Sequence, residues 1–131
     1  IVVFSHLTEH LELLESLSSK AGIPSSDMGR YYGSMTARKL DEAGAKRVIF
    51  TTPQKMGEGT DLPWLDCCLL ATPMSNIQQI VGRVLREFEG KKQPVVFDIG
   101  DRDSPVFMGY ENRRDEFYMK LGASIKEMRP S

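Results

Sequence analysis

Apolar residues follow two rhythms along this chain. Short continuous runs, at Ile1-Val2-Val3-Phe4, Val48-Ile49-Phe50, Cys67 to Ala71 and Pro94 to Ile99, are separated by stretches where leucine, isoleucine and valine recur every three or four positions. The short runs predict buried strands, and the longer spacing predicts amphipathic helices. Ile1 to Ser5 reads as the first strand. Thr8 to Lys20 carries leucines at 11, 13, 14 and 17 in one helical stripe, with Thr8 as N-cap, Gly22 as stop and Pro24 beyond it. Arg30-Tyr31-Tyr32 is a second short strand, closed by Gly33-Ser34. Thr36 to Ala43 is a short helix ended by Gly44.

Arg47 to Thr51 is the third strand, and residues 52–62 form a loop with a helical turn near Gln54 to Met56. Cys67 to Ala71 is the fourth strand, broken by Pro73. Ser75 to Phe88 is a helix capped by Ser75 or Asn76, with Ile77, Ile80, Val81, Val84, Leu85 and Phe88 turned inward. Pro94 to Ile99 is the fifth strand, Arg113 to Leu121 a closing helix, and 126–131 a frayed tail. Strands that alternate with helices and are apolar throughout predict an α/β domain whose parallel sheet, of about five strands, is covered on both faces. Ligand sites on such sheets gather at the carboxyl ends of the strands. Ser5, Gly33, Thr51-Thr52, Thr72 to Ser75 and Asp98 to Asp103 fall there.

Composition narrows the chemistry. The chain has 131 residues, 40% of them hydrophobic, enough for one domain with its own core. Seventeen basic against 18 acidic residues leave a net charge of -1, so any contact with a polyanion is local. Adjacent Cys67 and Cys68 lie in an apolar run, where bonding to each other would strain the backbone, and a reducing, intracellular setting is expected. No zinc-ligand spacing, membrane span or signal peptide is visible. The opening directly on a strand suggests a piece of a longer protein.

Two segments stand out. In Gln79-Ile80-Val81-Gly82-Arg83-Val84-Leu85-Arg86, three residues turn a helix by about 300°, so Arg83 and Arg86 share nearly one face. Neighbouring guanidiniums repel each other but suit phosphate oxygens, to which arginine offers planar, bidentate donors. Upstream, Thr51-Thr52-Pro53-Gln54-Lys55-Met56-Gly57-Glu58-Gly59-Thr60-Asp61-Leu62-Pro63 leaves a strand with two hydroxyls, passes through glycines and reaches a carboxylate. Hydroxyls and backbone amides at a strand end can hold a phosphate, glycine admits close approach, and a carboxylate can accept from a ribose hydroxyl.

Together these segments resemble motifs V and VI of superfamily 2 helicases: strand, Thr52, Gly59-x-Asp61-x-Pro63, strand, then Gln79-x-x-Gly82-Arg83-x-x-Arg86. Ile1 to Ser5 with its helix resembles motif IV, and the Ala71-Thr72-Pro73 exit is similar to the helicases of phages and large DNA viruses. The resemblance covers residues 1–121. It implies a RecA-like, P-loop NTPase type, three-layer domain over residues 1–125, the second lobe of an ATPase that holds its nucleotide between two lobes. It further implies that Arg86 is an arginine finger with Arg83 beside it, and that Gln79, Gly59 and Asp61 serve ATP. Thr52, with Thr51 as the alternative, would touch a nucleic-acid phosphate, and Gly33, Ser34, Ser5 and His6 are weaker candidates for contact with the strand. Leu85 stands where many relatives have Gly, and Ile80 where many have Arg.

The chain contains no Gly-x-x-x-x-Gly-Lys-[Ser/Thr] and no Asp-Glu-x-[Asp/His] box. The phosphate cradle and the Mg2+ site therefore belong to an N-terminal Walker A/B lobe outside this chain, and the fragment is expected to be inactive alone. ATP and Mg2+ are the implied cofactors. The implied partners are that lobe and a nucleic acid, DNA favoured over RNA, in an infected host's cytoplasm or a nucleoid if the source is viral. The rival reading is a non-catalytic α/β module for nucleic-acid or protein binding. Asp98, Asp101 and Asp103 are expected to cap and solvate a turn, His6 and His10 to lie on a solvated helix face, and Arg113-Arg114 with Lys120 to form an exposed basic edge. Trp64 is expected to pack, while Tyr31-Tyr32 could stack bases.

Overall fold

The computed structural model describes residues 1–33, 35–57, 66–72, 94–99, 105–121 and 124–126. Five strands, β1 (Val2–Phe4), β2 (Met28–Tyr31), β3 (Val48–Thr51), β4 (Cys67–Leu70) and β5 (Val95–Asp98), form one sheet in the order β2-β3-β1-β4-β5. Every neighbouring pair is parallel. Helices α1 (Thr8–Lys20), α2 (Ala37–Gly44), α3 (Pro53–Gly57) and α4 (Pro105–Lys120) are described around it, with a 3₁₀ turn at Ser25–Asp27. This is the α/β, RecA-like three-layer arrangement that the alternation of elements predicts.

Register explains the two layers of core. Strand neighbours at one level point to one face, so Ile49, Val2, Cys68 and Val96 line up across the sheet, as do Tyr31, Thr51, Phe4, Leu70 and Asp98 two residues on. On this face they pack with Leu40 and Ala43 of α2 and with Phe117 and Tyr118 of α4. Val3 and Phe50 point the other way and pack with Leu11 and Leu14 of α1. Burying each such leucine, isoleucine or phenylalanine contributes roughly 1.5–3 kcal/mol.

Three local features differ from the sequence reading. The leucines of α1 do not form one buried stripe: Leu11 is fully buried and Leu14 half-buried, while Leu13 and Leu17 are about half exposed at 55% and 51%. Leu13 is one position out of phase with a sheet that accepts only a narrow stripe. Thr8 is the first helical residue and Leu7 the cap, with no side-chain cap bond. Helix α4 begins at Pro105, two turns before the expected Arg113. Proline suits a first helical turn because its missing N–H has no intrahelical partner there.

Helix α2 shows how sequence fixes one contact. Thr36 caps it, its Oγ1 accepting from Lys39 N at 3.2 Å. The helix lies so close to β2 that a Cβ on Gly29 would stand 2.6 Å from Ala43 O and 2.9 Å from Ala43 Cα. Only a residue without a side chain fits that crossing.

Candidate functional site

Parallel pairing brings the carboxyl ends of the strands to one edge, and hydrogen bonds tie four of those ends together. Thr51 Oγ1 donates to Tyr31 O at 2.6 Å, joining β3 to β2. Ser5 N donates to Thr51 O at 3.2 Å, joining the end of β1 to β3. On the other flank of β1, Ala71 N donates to Phe4 O at 2.9 Å, and His6 N donates to Thr72 Oγ1 at 3.2 Å.

Within this edge the two threonines have different environments. Thr51 is fully buried, and its hydroxyl is turned into the protein toward Tyr31 O. A phosphate outside the sheet does not meet that side chain. Thr52 is half-buried, and its Oγ1 accepts from Lys55 N at 3.2 Å, capping the short α3. A hydroxyl that accepts one bond still has its proton to donate. No acceptor for that proton is found among the described residues. Of the pair, Thr52 is the one whose chemistry is directed toward a ligand.

Ser5 is buried with no exposed surface, so it organises the loop after β1 instead of presenting its hydroxyl. Its Oγ accepts from Leu7 N at 3.2 Å and stands 2.9 Å from His10 Nδ1. His10 is thus a half-buried partner of the strand end, where the sequence suggested a solvated face. The backbone of exposed His6 is the outward part of this loop. Gly33 is exposed with φ +75°, a conformation that favours glycine, and a Cβ there would meet nothing within 4 Å. Its backbone is accessible to a ligand.

The tyrosines after β2 do not offer free rings. Tyr31 is 8% exposed within one core layer, and Tyr32 packs against the other. The Tyr32 hydroxyl is buried without a hydrogen-bond partner; burial raises its pKa, against the pull of Arg30. Arg30 in turn donates to Glu15 Oε2 at 2.7 Å, and that bond raises its own pKa. Ser34, Gly59, Asp61, Trp64, Gln79, Arg83 and Arg86 lie outside the described residues, as does the expected helix Ser75 to Phe88.

Asp98 and Arg114 differ most from their expected roles. Arg114 is 1% exposed and holds Asp98 with two bonds, Nε to Oδ2 at 2.7 Å and Nη2 to Oδ1 at 2.8 Å. Tyr118 Oη donates to Asp98 Oδ2 at 2.7 Å. Asp98 therefore anchors α4 to the outermost strand, not a solvated turn, and Arg114 is not part of an exposed basic edge. Burial, then the negative charge of Asp98, pushes the Tyr118 phenol well above its ordinary range. Among the described residues no three His, Cys, Asp or Glu side chains gather as a metal site, and no helix is long and apolar enough to cross a membrane.

Comparison with known proteins adds one relative. Over 127 residues, 97% of this chain, it is 28% identical to a protein of Acanthamoeba polyphaga mimivirus, provisionally named ATP-dependent RNA helicase L396. The chain spans about a quarter of that protein's length, 24%. No family model matches the chain. The likeness relates this fold, along nearly its whole length, to a protein carrying a helicase name.

Proposed function

We propose that this chain is the second RecA-like lobe of an ATP-dependent nucleic-acid helicase or translocase. The observation that carries the reading is the carboxyl edge of the sheet. The residues that the motif resemblance assigns to the strand come from β1, β2 and β3, and they end on that one edge with Thr52 Oγ1 directed outward. The helicase name of a relative aligned over 97% of the chain supports it.

In this reading Thr52 Oγ1 and the backbone at His6 and Gly33 hold phosphates of a single strand. Contacts to the phosphate backbone carry no base information, which suits movement along any sequence. They also do not separate DNA from RNA. The sequence-based preference for DNA has no support in the geometry, and the relative is named for RNA. The substrate class proposed is therefore single-stranded nucleic acid.

Arg86 and Arg83 would donate to γ-phosphate oxygens and stabilise the charge that spreads as the phosphoryl group transfers. Gln79, Gly59 and Asp61 would complete the nucleotide face. The donor set of the chain fits half of such a site: it has guanidiniums but neither a phosphate loop nor an acidic box for Mg2+. Bound ATP would supply the free energy that draws two lobes together, and a Walker A/B lobe would hold it with Mg2+. Alone, this fragment is then inactive. Retention of both arginines argues against a purely non-catalytic module.

The test is Arg86→Ala in the longer protein that contains this lobe. Nucleic-acid-stimulated ATP turnover is expected to fall by roughly 10³-fold or more, with single-strand binding kept. Turnover equal to the wild type would rule out the arginine finger.

A further inference from the structure

The bond from His6 N to Thr72 Oγ1 belongs to neither proposed ligand set. It joins residues 66 positions apart at 3.2 Å, across the gap between the ends of β1 and β4. On one side it holds the backbone of the loop proposed to grip phosphate. On the other, Thr72 lies seven residues before Gln79 and eleven before Arg83 in the sequence. The same β1 end is tied to β3 through Ser5 N and Thr51 O. Any shift of the β1 loop is thus felt at the β4 exit through a side chain, and at β3 through backbone.

We propose that Thr72 is a positioning residue: its hydroxyl couples the strand-gripping loop after β1 to the chain segment that carries the phosphate-directed arginines. The inference rests on the second-lobe reading. Ser5, Thr51 and Ala71 already fix the strand ends by backbone bonds, so the sheet does not depend on Thr72 for its pairing. What the hydroxyl adds is a link between two exits that leave the sheet in different directions. Threonine supplies an acceptor for the His6 amide at that point, and valine, of nearly the same shape, does not.

The experiment compares Thr72→Val, Thr72→Ser and the wild type in the longer protein, with a single-stranded homopolymer as probe. For Thr72→Val, ATP turnover without the polymer and polymer binding without nucleotide stay within about twofold of wild type. Polymer-stimulated turnover falls about three- to tenfold, the range that loss of one neutral hydrogen bond gives. Thr72→Ser restores stimulation to within about twofold. Thr72→Ala provides the same deletion if the valine variant does not fold, as judged by its thermal midpoint. Full stimulation in the folded deletion variant overturns the inference alone, as does an equal loss in Thr72→Ser, which would assign the effect to methyl packing. A wild type that shows no stimulation overturns the second-lobe reading and the inference with it.

Discussion

Arg114 and Asp98 form a bidentate pair in which the arginine is 1% exposed and the aspartate side chain 18%. The pair joins α4 to β5, the edge strand. Removing one partner leaves a charge buried without its counter-ion, which costs about 3–5 kcal/mol in comparable sites. Asp98→Ala is therefore expected to lower the urea midpoint sharply. Tyr118→Phe removes one bond to the same carboxylate and is expected to cost about 1–3 kcal/mol. Equal, small losses in both would show the pair to be solvated in solution.

Gly29 is expected to resist even the smallest side chain. A Cβ there meets the Ala43 carbonyl oxygen at 2.6 Å, a backbone atom that moves only if α2 moves. Gly29→Ala should cost about 1–3 kcal/mol through overpacking. Gly22 offers the contrast, since its φ of +106° strains an L side chain while nothing lies within 4 Å of the added atom. Gly22→Ala should cost about 1 kcal/mol. Denaturant unfolding of the two variants reads the difference.

Alkaline pH is expected to weaken the fold through Cys68. Burial, then the charges of Cys67 and Asp98, pushes its thiol from an ordinary 9.0 up to about 12. Between those values the folded chain keeps a proton that the unfolded chain loses, so stability falls as pH rises. The contribution is complete below about pH 9 and lost through about pH 12. The slope it adds is at most about 1.4 kcal/mol per pH unit. Cys68→Ala should flatten the fall in the urea midpoint from pH 9 to pH 11. The raised phenol of Tyr118 acts in the same direction and accounts for part of what remains.

The two threonines of β3 and its exit should separate stability from binding. Thr51→Val leaves Tyr31 O without its 2.6 Å donor in a buried place and should cost about 1–3 kcal/mol. Strand affinity of the folded variant should change little. Thr52→Val removes an outward hydroxyl and a cap on α3, costing about 0.5–2 kcal/mol. It should weaken single-strand binding about three- to tenfold, as loss of one hydrogen bond does. Fluorescence anisotropy with a labelled homopolymer, beside thermal melts, distinguishes the two patterns.

The sheet was legible because β1, β3 and β4 are short, apolar and bounded by polar or turn residues, so length and composition agree. The start of α4 was not, since Pro105-Val106 and Gly109 read as breakers until tertiary contacts favour the helix. Asp98 was misjudged because two more aspartates follow it closely, and its real partners are 16 and 20 residues away. A spacing argument does show that Arg114 and Tyr118 lie four apart on one helix face, but not which strand they meet. Thr51 and Thr52 were indistinguishable in sequence. Strand alternation decides between them, since it turns Thr51 inward to the layer of Phe4 and Leu70. His10 and Thr72 carried no motif signal because each acts on the backbone or side chain of one distant residue.

The close crossing at Gly29 also has a consequence for alignment. β2 is the outermost strand on its side and pairs only with β3. Slippage by two residues would keep the same face inward but bring the side chain of Asp27 or Tyr31 against the Ala43 carbonyl. The notch left by the missing side chain thus acts as a keyway that admits the strand at one height only. With β2 indexed in this way, the level at which Gly33 leaves the sheet is set relative to Thr52, two strands' exits held in step by an absent atom.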